Sequence, residues 1–341
     1  MLDVSPIASF EEYKSRLGEF IHQTNDPLTT ATSARDAQTK ELLFILQKQV
    51  LPHHLLTPLL THYLPQVKKM TSSNRGQAAG NIHREQKGTY ERSNTVHSTV
   101  AGYIDSPNHK YPCRLTKFSR DHFQAYQSGV PLLQHISTLF SQTLPQQYQA
   151  QLQAAEKTPY RIENTVFTTV TLNYNFQTAI HLDKGDFPAG FGILVVCAEG
   201  IEGGELLFPR YRLRIKVCTG DLLFMNVHEY HCNLPILPQH PNAYRLSMVC
   251  YLREKLLHCH HNQFLQEQGL PPNQHWDTQI LIDKILAKLQ LTPADKQPLE
   301  NNGWSYESTT HQFYYRKKQY ILKDKETNKK IICLYKIMAA L

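Results

Sequence analysis

The spacing of hydrophobic and polar positions changes character three times along the chain. Near the start, Ser9 and Glu12 have the form of a capping box, which predicts a helix near residues 10–22. Lys40–Val50 contains Leu42-Leu43-Phe44-Ile45-Leu46 and reads as a second, strongly apolar helix stopped by Pro52, with a short third helix over Thr57–Tyr63. Residues 1–65 are therefore expected to form an N-terminal helical region. Residues 71–117 carry Gly and Pro punctuation without a sustained period. Ser119–Ser141 follows helical spacing, interrupted by Gly129 and Pro131, and Gln146–Lys157 predicts one more helix. From about 161 to 254 the period becomes two. Tyr211, Leu213, Ile215 and Val217 alternate there with Arg210, Arg212, Arg214 and Lys216. Short strands with turn signals and no long helix between them predict an antiparallel double sheet, a jelly roll. After Leu256 the pattern changes again, to an amphipathic helix over Ile280–Leu289 and a small meander over Trp304–Lys336. The expected fold is mixed α+β, with a jelly-roll core at 161–256, flanking helices, and a small helix-plus-strand extension at 257–341.

Composition narrows the class. A chain of 341 residues, 41% hydrophobic, can bury one large core plus a smaller unit. No run of about 18 apolar residues occurs, so no membrane span is expected. Met1–Pro6 lacks a basic segment followed by an apolar one, so no secretory signal is expected either. Seven cysteines without a CxxC pair fit a reducing, intracellular setting, with Cys197, Cys218 and Cys250 read as small buried residues. His258-Cys259-His260-His261 offers four ligand types in succession, but adjacent side chains cannot all point at one ion. The net charge is +7, and residues 66–120 hold ten Lys/Arg against three Asp/Glu, an excess equal to the whole surplus. Tyr90, Tyr103 and Tyr111 are interleaved among these charges. Such a segment is either a nucleic-acid contact, with cations on phosphates and rings on bases, or a set of solvated loops. The basic face at 210–216 has the same two readings, a phosphate track or a charged edge.

The strand-like region also carries candidate chemistry. In His181-Leu182-Asp183 a period of two puts His181 and Asp183 on one face. A third ligand from a distant strand would complete a two-His-one-carboxylate triad, which leaves adjacent positions open on a ferrous ion. Two histidines compete for that place, His228 and His231, beyond the turn Gly220-Asp221 and the buried run Leu222–Met225. Arg245, in Tyr244-Arg245-Leu246-Ser247, is placed to hold the far carboxylate of a 2-oxo acid bidentately.

The stretch Thr168–Phe187, then Gly203-Gly204-Glu205-Leu206-Leu207-Phe208-Pro209, Gly220–Phe224 and Tyr244–Ser247 resembles the TET/JBP family of nucleic-acid-modifying oxygenases. Upstream, Asn74–Gly80, Val100–Tyr103 and Pro112–Thr116 resemble the segments before that family's iron-binding core. The resemblance covers about residues 70–256 and is closest to base-J-type thymine hydroxylases and the algal methylcytosine-modifying branch. The cysteine-rich zinc module of animal TET enzymes has no counterpart. The resemblance implies a double-stranded β-helix dioxygenase domain at 66–256. It also implies His231 as the third iron ligand, by its spacing from Gly220-Asp221, beside His181 and Asp183. Fe(II) and 2-oxoglutarate are implied as cofactor and co-substrate with O2, and ascorbate remains open because the algal branch uses it. The implied reaction is oxidation of the 5-methyl group of a pyrimidine in DNA, thymine or 5-methylcytosine, on a base flipped from the duplex. Asn173, Asp186, Tyr103 and Arg75 are the expected substrate contacts. A nuclear location is expected in a eukaryote. The alternatives are a related oxygenase acting on a nucleoside, RNA or protein, and a binding module with a vestigial metal site.

Overall fold

Alternate residues of the central strands enter two different cores. Leu223 and Met225 pack with Leu194, Val196, Leu206, Phe208 and Leu213, whereas Leu222 and Phe224 pack with Val195, Cys197, Leu246 and Met248. Side chains of one strand point to opposite faces, so a strand apolar on both faces must be covered on both. The computed structural model describes residues 1–83, 92–105, 113–158 and 160–258. Beyond these it describes the short strands Trp304–Glu307, Gln312–Tyr315 and Lys318–Gln319.

The larger sheet has nine strands. In spatial order they are Leu2–Val4, Ser33–Asp36, Leu42–Gln47, Leu222–Met225, Gly192–Glu199, Tyr244–Tyr251, Thr169–Tyr174, Ser98–Asp105 and Cys113–Leu115. The first pair is parallel and the others are antiparallel. A second sheet orders Leu213–Ile215, Leu206–Phe208 and Cys232–Asn233. The two sheets meet through such contacts as Phe44 against Phe208, ring centroids 6.4 Å apart. The helix Phe123–Thr143 covers the other face of the larger sheet with Leu132, Leu133, Ile136 and Phe140. Phe140 lies 5.7 Å from the ring of Phe224. This is the expected jelly roll with flanking helices.

Several local expectations are corrected. Residues 1–65 are not a helical region, because three strands of the larger sheet come from them. Leu42–Gln47 is a strand between Ser33–Asp36 and Leu222–Met225, and its unbroken apolar run reflects burial on both faces rather than a helical stripe. The first helix has its capping box at Ser9 and Glu12 but spans only Phe10–Lys14. In place of one helix over 57–63 there are two short α-helices, His53–Pro58 and Leu64–Val67, joined by the π-helical turn Leu59–Tyr63. Gly129 and Pro131 do not interrupt Phe123–Thr143; Gly129 makes room for Tyr63, whose hydroxyl would lie 2.3 Å from a Cβ there. Cys218 is exposed, not buried, whereas Cys197 and Cys250 are buried as expected. Cys113 is disulfide-bonded, against the reading of unpaired thiols.

The chain divides into two compact units, 1–264 and 265–341. In the second, Trp304–Glu307 pairs antiparallel with Gln312–Tyr315, and that strand with Lys318–Gln319. The expected helix at 280–289, the end of the meander and Cys259-His260-His261 lie outside the described residues. No helix among the described residues is long and apolar enough to cross a membrane.

Gly102 shows how tightly the strand Ser98–Asp105 is seated. Its φ is +81°, and a Cβ would lie 2.5 Å from the carbonyl oxygen of Thr168. Gly102→Ala is expected to lower stability by about 2–4 kcal/mol, combining left-handed strain with overpacking. A urea midpoint unchanged from wild type would contradict this.

Candidate active site

His181 and His231 face each other across a single antiparallel bridge. The His181 amide donates to the His231 carbonyl at 3.0 Å and the reverse bond is 3.2 Å. The imidazole centroids are 4.2 Å apart. Asp183, whose amide donates to the Val227 carbonyl, sits between them. Its carboxylate oxygens are 3.7 Å from His181 Nε2 and 3.6 Å from His231 Nε2. His181 Nδ1 is 2.8 Å from the Ala179 carbonyl oxygen, and His231 Nδ1 is 2.9 Å from that of Glu229. A carbonyl only accepts, so in each neutral ring Nδ1 carries the proton and Nε2 presents its lone pair to the centre. Among the described residues this is the group of His, Cys, Asp and Glu close enough to hold an ion, its ligand atoms all within 4.8 Å of one another.

Electrostatics treat the two rings differently. Burial, then the neighbouring His231, lowers the His181 pKa to about 4, which keeps that ring neutral. Burial opposes the charged form of His231, but its hydrogen bond to Asp183 and that carboxylate's charge outweigh burial and raise its pKa. Burial would raise Asp183, yet the His231 hydrogen bond and the charges of His181, His231 and Arg75 hold it below the usual carboxylate range. Two imidazole nitrogens and one ionised carboxylate are a donor set that fits Fe(II) with adjacent positions open.

The triad opens into a cavity of about 450 Å³, into which Arg245 also points. The strand Tyr244–Tyr251 sends Leu246, Met248 and Cys250 into the helix-side core, so Arg245, Ser247, Val249 and Tyr251 line the cavity. The Arg245 backbone amide donates to Asn175 Oδ1 at 2.7 Å. Its side chain is buried, and burial lowers its pKa to about 10, with Glu205 opposing. A guanidinium shielded from water is costly without an acceptor. An anionic group of a ligand in this cavity would supply one, which is the fit a 2-oxo dicarboxylate offers. Gly204 allows the approach, since a Cβ there would be 3.1 Å from Arg245 Cδ.

Three of the four expected substrate contacts line the same cavity. Asn173 lies opposite Ser247 in register and accepts from Ser98 Oγ at 2.7 Å. Asp186 is buried, its Oδ2 without a hydrogen bond, and burial and then Asp183 push its carboxyl well above the usual range. Arg75 stands at the start of the short 3-10 turn Gly76–Ala79. Tyr103 does not line the cavity. It stacks edge-on with Tyr160, 5.7 Å between centroids, beside Cys113 and Leu256, because its strand turns that position away. His228 is not in the triad either; its Nε2 is 3.2 Å from the Phe187 carbonyl oxygen. The sequence reading missed Thr171, Tyr251 and Arg253 as cavity residues. Period two from Asn173 and from Ser247 would have found the first two. The basic face at 210–216 is not a free cationic track: Arg210 is buried against Glu229 and Arg214 is paired with Glu205.

Residues 99–254 match the family model Tet_JBP, the oxygenase domain of the 2OGFeDO superfamily. Over these residues the chain is similar to the Tet_JBP oxygenase domain. Among curated proteins, it is 36% identical over 155 residues to the bifunctional helicase and thymine dioxygenase JBP2 of Leishmania tarentolae, covering 46% of this chain and 14% of that protein. It is 34% identical over 164 residues to thymine dioxygenase JBP1-A of Trypanosoma cruzi (strain CL Brener), covering 47% and 20%. The chain thus spans a fifth or less of these relatives' length. A solved structure of NgTET1 in complex with 5mC DNA aligns with TM-score 0.47 and 13% identity, over 73% of this chain and 92% of that one. The Tet_JBP match contains the triad, Asn173, Asp186 and Arg245, whereas Asn74, Arg75 and Gln77 reach the cavity from outside it.

Proposed function

We propose that this chain is an Fe(II)- and 2-oxoglutarate-dependent dioxygenase that oxidises the 5-methyl group of a pyrimidine base in DNA, giving a 5-hydroxymethyl product. The observation that carries the reading is one cavity holding the His181–Asp183–His231 group and the buried Arg245 inside a Tet_JBP domain. In this reading His181, Asp183 and His231 hold the iron, and Arg245 receives the distal carboxylate of 2-oxoglutarate. Bound iron and co-substrate supply, with O2, an oxidant strong enough for a methyl C–H bond. The chain's own residues select and orient what reaches it. The dicarboxylate fit of Arg245 favours 2-oxoglutarate over ascorbate. A methyl group inside a duplex cannot enter the cavity, so the nucleotide is extruded at a cost of a few kcal/mol. Asn173 and Asp186 then meet the polar edge of the base, a protonated Asp186 being able to donate a hydrogen bond. Arg75 would bring positive charge to the nucleic acid, consistent with the basic excess at 66–120. Residues 257–341 are left as an extension outside the oxygenase domain. The named activity of the curated relatives favours thymine as target, with 5-methylcytosine as the second substrate to test.

The test is mass spectrometry of nucleosides from two duplexes, one with 5-methylcytosine and one with thymine only, incubated with the protein and Fe(II). Hydroxymethylated nucleoside should form with 2-oxoglutarate and be absent with ascorbate alone. No oxidised base in either duplex would refute the proposed reaction, and product with ascorbate alone would refute the role given to Arg245.

A further inference from the structure

Each imidazole of the triad is aimed by a backbone carbonyl two residues before it, Ala179 for His181 and Glu229 for His231. The direction of both rings therefore depends on what holds these two short segments. One stretch of chain, upstream of the family match, grips both. Beside His181, the Gly18 amide donates to the Ile180 carbonyl at 2.8 Å and the Ile180 amide to the Glu19 carbonyl at 2.9 Å. Beside His231, Tyr230 Oη donates to the Phe10 carbonyl at 3.0 Å, with the rings of Phe10 and Tyr13 at 4.5 and 5.6 Å from that of Tyr230. Arg210 joins the two parts. Its guanidinium donates bidentately to Glu229, Nε to Oε1 at 3.0 Å and Nη2 to Oε2 at 2.6 Å, and Nη1 donates to the Ala8 carbonyl at 3.2 Å. The pair is buried, with Phe10 and Tyr211 rings 5.6 and 4.8 Å from the guanidinium carbon. Glu229 Oε1 also accepts from the Tyr230 amide at 2.9 Å. The residue whose side chain is clamped is thus the one whose carbonyl orients His231.

We propose that residues 7–21 are a brace for the metal centre, and that Arg210 and Glu229 are positioning residues that set the direction of the His231 lone pair. The proposal rests on the reading of His181, Asp183 and His231 as metal ligands. A buried, bidentate ion pair is costly to assemble, and a role in ligand alignment accounts for its place two residues from a ligand better than stability does. The exposed pair Arg35–Asp3 comes from the same N-terminal region without touching the triad, and serves as a control.

The experiment measures Mn(II) affinity of the full chain by calorimetry, the visible ligand-field bands of the Co(II)-loaded protein, and thermal unfolding. Arg210→Met should weaken Mn(II) binding about 10- to 100-fold, as expected when a partner of a metal-ligating histidine is lost, and shift the Co(II) bands. Arg210→Lys, which keeps the charge without the planar fork, should recover part of the affinity. Arg35→Met should bind as wild type does. A folded Arg210→Met protein with wild-type affinity and unshifted bands would overturn the proposal. If Arg210→Met does not fold, Phe10→Ala decides. Phe10 is 41% exposed, so its loss is tolerable to the fold, and a weakening of a few-fold is expected. Unchanged affinity in Phe10→Ala would then overturn the brace. A wild-type protein that binds no Mn(II) would instead refute the ligand reading, so the two failures are distinguishable.

Discussion

Alanine at His181, Asp183 or His231 is expected to abolish turnover, by on the order of 10³-fold or more in each case. Loss of a group that merely supports a metal ligand costs about 10–100-fold, and loss of the ligand itself lies above that. Each of the three supplies one donor, and nothing else among the described residues stands close enough to replace it. The fold should survive. Asp183 is a third exposed, and the two imidazoles sit at a single bridge between short segments rather than in the helix-side core. Thermal unfolding within a few degrees of wild type, together with undetectable hydroxymethyl product, is the expected pair of results. His228→Ala should remain active, because its ring is turned to the Phe187 carbonyl. An active His231→Ala protein beside an inactive His228→Ala protein would reverse that assignment.

Arg245→Ala should raise the KM for 2-oxoglutarate roughly a hundredfold while leaving Mn(II) affinity within a factor of two. A bidentate, charge-assisted contact in a dry site is worth about 3 kcal/mol, and 1.4 kcal/mol is a factor of ten. The effect should fall mainly on KM, since the distal carboxylate is remote from the reacting end of the co-substrate. Arg245→Lys should recover only part of it, because an ammonium cannot form the paired contact. Saturation of Arg245→Ala at wild-type 2-oxoglutarate concentrations would mean that the guanidinium serves another partner.

The jelly-roll class and the grouping of the candidate site residues could be read from strand period, whereas several individual elements could not. Arg245 with Ser247 and Val249 follows from a period of two, and the structure puts these three on the cavity side, with Leu246, Met248 and Cys250 opposite. His181 and Asp183 also share a side, although their segment is a bridge rather than a full strand. The choice between His228 and His231 needed spacing borrowed from relatives, because both follow the same turn. Leu42–Gln47 was misread since a run apolar at every position has no period, and only its partners Ser33–Asp36 and Leu222–Met225 make it a strand. The Arg210–Arg214 stripe looked like a cationic surface because Glu229 and Glu205, 19 and 9 residues away in sequence, cannot be paired with it by inspection.

Three strands of the larger sheet come from residues upstream of 99, where the Tet_JBP match begins. Anyone wishing to transplant this domain into a fusion protein has to respect that. A fragment trimmed to the matched range would peel Leu42–Gln47 away from Leu222–Met225 and leave an apolar strand with a bare amide edge, a surface that zips onto copies of itself. The portable unit is set by where the sheet closes, not by where sequence similarity fades.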